Sequence, residues 1–250
     1  MARSQPNDSF AGFRGPSSPY LDLGSVSFGD VDTGALERSF LDAGRRLRSS
    51  LLRFHDDLTS GRIDVQGYVL RSRAAVRVAF FTAYSVGAMS VFPFYTLTDR
   101  DVRILDEELA DETGFLQGFA RDIVGNRVHL DPVSRAGLYL LSLRGIFEKG
   151  RVEAMPAGPY RWQLGITEHC FECFNATDRG PYQRDQYSAL GLPVLPGSPG
   201  DGTVCLGLTR CGCRIVLANG APVPNQDLAD RLRGLLLEVA HGSRPVAAGT

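Results

Sequence analysis

Five cysteines carry most of what this 250-residue chain could do chemically. All five lie between Cys170 and Cys213, and nothing before Cys170 is a cysteine. His169-Cys170-Phe171-Glu172-Cys173 is a C-x2-C knuckle, which lets two sulfurs reach one ion from a tight turn. Cys205, Cys211 and Cys213 follow as a C-x5-C-x-C cluster, with Gly212 relieving the backbone between two closely spaced sulfurs. Zinc takes four tetrahedral ligands, commonly as two close pairs. The expected ligands of a structural zinc are Cys170, Cys173, Cys211 and Cys213, with Cys205 or His169 as substitutes. A segment so rich in glycine and proline cannot build its own core, and a metal can supply ~10–16 kcal/mol of apparent binding energy to order it.

Two other readings of the cysteines stay open. Disulfides are one, formed after release into an oxidising medium. No basic-then-apolar signal opens the chain, so a reducing compartment is expected, and the odd cysteine count fits a complete disulfide framework poorly. Free or redox-active thiols are the other, since a C-x2-C near a helix start can lower a thiol pKa. That reading lacks the strand-to-helix context of thioredoxin-like motifs.

Catalytic signals are weak. Glu168 and Glu172 flank the knuckle and could act as a base beside an open zinc, but they read more simply as solvated loop carboxylates. His55, His129 and His241 are isolated and fall in no H-E-x-x-H spacing. The glycines around Gly197–Gly202 carry no G-K-[ST], and there is no G-x-S-x-G. Asp106-Glu107-Glu108 and Asp111-Glu112 lie along a predicted helix, where a solvated face is the default. The expectation is a non-enzymatic protein.

The elements that position the cysteines give a mainly α fold. A helical body is joined to a small Cys-stapled loop and short-strand module and to a C-terminal amphipathic helix. Residues 1–33, rich in Gly, Ser, Pro and Asp with Phe10, Phe13, Tyr20 and Phe28 spaced along them, read as an extended arm whose aromatics could anchor it. Residues 34–154 read as the helical body. Leu36, Phe40, Leu47, Leu51 and Leu58 mark a first helix starting near Thr33 and Glu37, and a second runs from about Asp64 into Val91. A third spans roughly Asp99–Val124, capped by Thr98, and a fourth opens at Asp131-Pro132 and stops at Lys149-Gly150. Val78 to Tyr95 is uncharged and touches the lower length for a membrane span. Its polar residues and amphipathic neighbours favour a central buried helix and no membrane. Residues 155–220 form the cysteine module, with a short strand at Tyr160–Gly165. Residues 221–250 hold a helix at Asp227–Ala240 and a tail.

A net charge of -1 and a pI near 6.4 exclude a generally basic nucleic-acid binder. Lys149 is the only lysine among 27 basic residues. Arg45, Arg46, Arg48 and Arg53, or Arg71, Arg73 and Arg77, could touch packaged DNA. Helix faces salt-bridged to the chain's own carboxylates are the favoured account.

Between residues 135 and 217 the order of motifs resembles a known family. Leu138-Tyr139 and Arg144-Gly145-Ile146-Phe147 on a helix come first, then Trp162-Gln163-Leu164 and His169-Cys170-x-x-Cys173. Gly180-Pro181-Tyr182, Leu195-Pro196-Gly197 and Asp201-Gly202-Thr203 follow, and Cys205 with Cys211-x-Cys213-Arg214 closes the series. This resembles the C-terminal domain of tailed-phage minor head proteins, the Mu F-like head morphogenesis family. The resemblance implies a virion structural protein, made in the bacterial cytoplasm and acting at the portal or inner capsid. Its implied partners are the portal and/or major capsid protein, with a few copies in each particle. The family keeps its last three cysteines closer together, so the spacing from Cys205 to Cys211 leaves the fourth ligand open. The alternative, from another class, is a zinc-ribbon nucleic-acid-binding regulator, suggested by Arg179, Arg184, Arg210 and Arg214 near the cysteines.

Overall fold

A computed structural model describes residues 31–125, 131–156, 158–165, 174, 177–178, 180–184 and 213–241. The fold is mainly α, as expected. Helices α1 (Thr33–Thr59), α2 (Val65–Val91), α3 (Asp99–Val124) and α4 (Pro132–Ala154) come first in the chain. Strands β1 (Tyr160–Gln163) and β2 (Arg214–Leu217) follow, and then helix α5 (Gln226–His241).

Each of the first four helices starts on a side chain that accepts from an otherwise orphaned backbone N–H. Asp32 accepts from Ala35 at 2.8 Å, Asp64 from Gly67 at 2.7 Å and Asp131 from Ser134 at 3.0 Å. Thr98 and Asp101 form a reciprocal capping box at the head of α3. The cap of α1 is therefore Asp32, and Thr33 is the first helical residue. The turn from α1 to α2 passes through Gly61 at φ +72°, where a side chain would be strained.

The fourth helix does not stop at Gly150. It runs on to Ala154, and Gly150 has a packing role inside it. A Cβ there would lie 2.1 Å from the carbonyl oxygen of Tyr84 on α2. The mirror contact occurs at Gly87 of α2, where a Cβ would lie 1.9 Å from the carbonyl oxygen of Phe147 on α4. Two glycines thus let α2 and α4 touch backbone to backbone. The glycine-as-terminator rule fails here because tertiary contact outweighs local propensity.

Helix α2 is the centre of the bundle and packs against α1, α3 and α4. By length and apolarity it could cross a membrane, yet 56% of its most apolar window is buried in this fold. Val76, Ala79, Phe80, Ala83, Tyr84 and Val86 are all nearly inaccessible. Helix α5 belongs to the same core: Leu228, Leu232 and Leu236 pack with Phe40, Leu47, Leu140 and Leu143.

A second, smaller core sits under the strands. β1 and β2 are antiparallel, with Tyr160 opposite Leu217 and Gln163 opposite Arg214. Tyr182 bridges the outer side of Tyr160, and Pro222 bridges Val216 after a turn at Asn219-Gly220. Trp162, Tyr160, Ile215, Tyr182 and Cys213 pack there against Val91 from the end of α2 and Val152 and Met155 from the end of α4.

Candidate functional site

The cysteine module is the site the sequence points to, and the ribbon is its described part. Cys213 is 3% exposed and stands one residue before β2. Because the ribbon is antiparallel, the end where β1 leaves toward Leu164 and Gly165 is the end where Cys213 leads into β2. Cys170 follows Gly165 by five residues in the chain, and Cys211 precedes Cys213 by two. The strand pairing therefore brings the start of one cysteine pair's lead-in to the second pair's last member. His169, Cys170, Cys173, Cys205 and Cys211 lie outside the described residues, as do Glu168 and Glu172. Among the described residues, no group of three or more His, Cys, Asp or Glu is placed to hold a metal.

Several of the arginines that motivated nucleic-acid binding have partners among the described residues. Arg184 donates to the backbone carbonyls of Met155 at 2.9 Å and Glu153 at 3.2 Å, tying the ribbon to the end of α4. Arg214 lies 3.6 Å from Asp230 of α5. Arg179 and Arg210 are outside the described residues. On the helical body, Arg45 pairs with Asp42 at 2.9 Å, Arg71 with Asp57 at 3.6 Å and Arg77 with Asp106 at 3.7 Å. The Arg53 guanidinium sits 5.2 Å from the ring centre of Phe54. The three ion pairs fit the favoured salt-bridged account for Arg45, Arg71 and Arg77 and contribute little stability each, while Arg46, Arg48 and Arg73 make no ion pair among the described residues. Of the isolated histidines, His55 has Nδ1 3.6 Å from the Asp56 carboxylate. His129 and the side chain of His241 are outside the description.

Three buried polar clusters escape sequence reasoning. In the first, Arg151 of α4 is only 2% exposed. Its guanidinium donates to Glu148 at 3.1 Å, to the Gln226 side chain at 3.3 Å and to the Pro224 carbonyl at 3.3 Å. It also stacks 5.9 Å from the Phe147 ring centre. Nearby, the Asn225 amide donates to the Ser90 carbonyl at 2.7 Å. This cluster fastens the start of α5 to the ends of α2 and α4.

In the second, Asp101 is 1% exposed and accepts from the hydroxyls of Tyr84 and Tyr95 and from Thr98. Burial alone would push its carboxyl up, but the hydrogen bonds from Tyr84, Thr98 and Tyr95 outweigh it and hold the carboxyl below its ordinary range. Burial, with Asp101 as acceptor, drives both tyrosine hydroxyls well above their usual range. The carboxylate spends its lone pairs on the fold, so it is no free base.

The third cluster lies where α1, α2, α3 and α4 meet. His55, Tyr68, Phe119, Arg135 and Tyr139 line a water-sized gap there. The Arg135 guanidinium stands 4.8 Å from the Phe119 ring centre. Burial pushes the Tyr68 hydroxyl up to about 12. Glu112 of α3 is half-buried beside this junction, and its carboxyl is pushed up to about 7 by burial and then by Glu108. Arg135 opposes that rise, while Asp111 adds to it. The acidic run was expected to be wholly solvated. Glu112 departs from that, and Glu108 forms an ion pair with Lys149, the only lysine.

The chain matches no family model, no curated protein and no solved structure.

Proposed function

We propose that this chain is a non-catalytic minor head protein of a tailed phage, similar to the Mu F-like head morphogenesis family. It acts in head assembly at the portal or inner capsid and stays in the virion. Its cysteine module is held by a structural zinc on Cys170, Cys173, Cys211 and Cys213, with Cys205 or His169 as the substitute ligand. Disulfides are the competing staple.

One observation carries the reading: the ordered frame of the C-x2-C knuckle, the Pro-Gly loops and the C-x5-C-x-C cluster between residues 169 and 213. The ribbon supports it, because an antiparallel pair that joins the lead-out to Cys170 with the lead-in from Cys213 suits two ligand pairs on one ion.

The test is mass spectrometry of purified procapsids and virions of the virus whose genome carries this gene. The expected result is the intact chain at a few copies per particle. Its absence from both particles overturns the reading. Metal analysis of the reduced, full-length protein tests the staple. Stoichiometric zinc supports the four-ligand site, and sulfur–sulfur bonds without zinc replace it with disulfides.

A further inference from the structure

Among the asparagines of the chain, Asn219 alone is followed by glycine. That pair closes the hairpin after β2. Leu217 donates its N–H to the Ala221 carbonyl at 2.9 Å, and Val216 bridges Pro222. Gly220 stands at φ +83°, where a side chain would be strained, so the turn itself requires the glycine. Asn219 and Gly220 are both exposed to solvent. The pair that suits the turn is also the pair most open to reacting with itself. Glycine has no side chain to shield its backbone nitrogen, and the Asn219 side-chain amide is the electrophile next to it.

The fold opposes that reaction with hydrogen bonds. Gly220 donates its N–H to the Leu217 carbonyl at 2.8 Å, which keeps the proton on the attacking nitrogen. Asn219 Oδ1 accepts from the Ala221 N–H at 2.9 Å, which fixes the side-chain rotamer. Ala218 donates its N–H to the Pro159 carbonyl at 3.1 Å, just ahead of β1, so the turn is tied to the other strand of the ribbon. The first two bonds must break before the Gly220 nitrogen can attack. The third couples that opening to the ribbon as a whole.

We propose that Asn219 is a self-modification site that the ribbon keeps closed. When the ribbon opens, the Gly220 nitrogen gives up its proton and bonds to Asn219 Cγ. The Cγ–Nδ2 bond breaks, and Nδ2 leaves with that proton as ammonia. The product is a cyclic imide. Water then adds at either imide carbonyl and opens the ring to aspartate or isoaspartate, with no change of oxidation state. Isoaspartate inserts an extra main-chain carbon at the turn, so the Leu217–Ala221 hydrogen bond and the Val216–Pro222 bridge lose their register. An opening of the ribbon therefore leaves a permanent mark at residue 219. The proposal is independent of the phage reading.

The test incubates the full-length protein at mildly alkaline pH and follows the peptide containing residue 219 by mass spectrometry with isoaspartate detection. The same chain unfolded in urea is one comparison. Trp162→Ala is the other, because it removes a side chain of the ribbon core paired across the strands with Ile215, and its helical circular dichroism is checked first. Conversion at Asn219 should be at least about tenfold slower in the native protein than in the unfolded chain, and at least about threefold faster in Trp162→Ala than in wild type. Equal rates in the native and unfolded chains, no conversion in the unfolded chain, or a Trp162→Ala rate equal to wild type would each overturn the proposal.

Discussion

Replacing Glu112 by glutamine should make the protein more stable at pH 8 and leave it nearly unchanged at pH 4.5. Glutamine keeps the shape and the hydrogen-bonding ends of the side chain and removes its titration. In the unfolded chain the carboxyl titrates at about 4.5, and in the fold at about 7, because burial and the neighbouring Glu108 disfavour its charge. The sign follows from proton counting. Between those two values the folded state holds a proton that the unfolded state has lost, so stability falls as pH rises from 4.5 to 7 and levels off above. At ~1.4 kcal/mol per unit, the full rise is worth roughly 3 kcal/mol. Glu112 keeps some contact with water, which screens the effect, so about 1–2 kcal/mol is expected. The charged and titratable groups around it are Glu108 and Asp111 on α3, Arg135 and Tyr139 on α4, Tyr68 on α2 and His55 on α1. None of the others changes between wild type and variant, so the difference between the two isolates Glu112. The assay is urea unfolding of both proteins at pH 4.5, 6 and 8, followed by circular dichroism. An advantage for Glu112→Gln that does not grow with pH would refute the reasoning. A variant less stable at pH 8 would show that attraction to Arg135 wins instead.

Gly87→Ala and Gly150→Ala should each cost about 3 kcal/mol or more in chemical unfolding, since the new methyl meets backbone carbonyl oxygen and no rotamer relieves it. Gly114→Ala, with open space at its Cβ, should be neutral or stabilising by up to ~1 kcal/mol in the same assay. Arg151→Met should cost about 3–5 kcal/mol by leaving Glu148 buried without its partner, and adding Glu148→Gln should recover much of that loss. Chelation under reducing conditions should shift the emission of Trp162, the only tryptophan and a member of the ribbon core, while the helical circular dichroism signal holds. Unchanged emission after the metal is removed would speak against a zinc that orders the ribbon.

The helices were legible because their signals are local. Asp64, Thr98 and Asp131 sit one residue ahead of apolar runs at helical spacing, and each is a cap in the structure. Strand β2 escaped because it is four residues long and directly follows the cysteine cluster, where Cys213-Arg214 reads as the end of a metal motif. A signal was present: Ile215-Val216-Leu217 followed by Asn219-Gly220 is an apolar run ahead of a turn. The overrun of α4 past Gly150, the burial of Arg151 and the perturbation of Glu112 were not legible at all. The first two depend on a residue far away in sequence, Tyr84 for Gly150 and Gln226 for Arg151, and the third on burial of Glu112 by the tertiary fold. A glycine, an arginine and a glutamate look the same in a sequence whether they face water or a neighbouring helix.

The last two turns of α4 bear on how the module could work. Gly150 fixes this stretch against α2, Arg151 and Glu148 hold the start of α5, and Val152 and Met155 form the floor of the ribbon core. Arg184 closes the same junction from the ribbon side by bonding the carbonyls of Glu153 and Met155. The ribbon core therefore packs directly on the ends of α2 and α4, while the link from α4 to β1 runs through exposed Pro156, Gly158 at φ +97° and Pro159. Three consecutive residues of α4, Gly150, Arg151 and Val152, are buried and each touches a different element. This arrangement ties the described ribbon core and the start of α5 to one stretch of α4. It also concentrates risk, because one substitution in those three positions should loosen the bundle, the ribbon and α5 together.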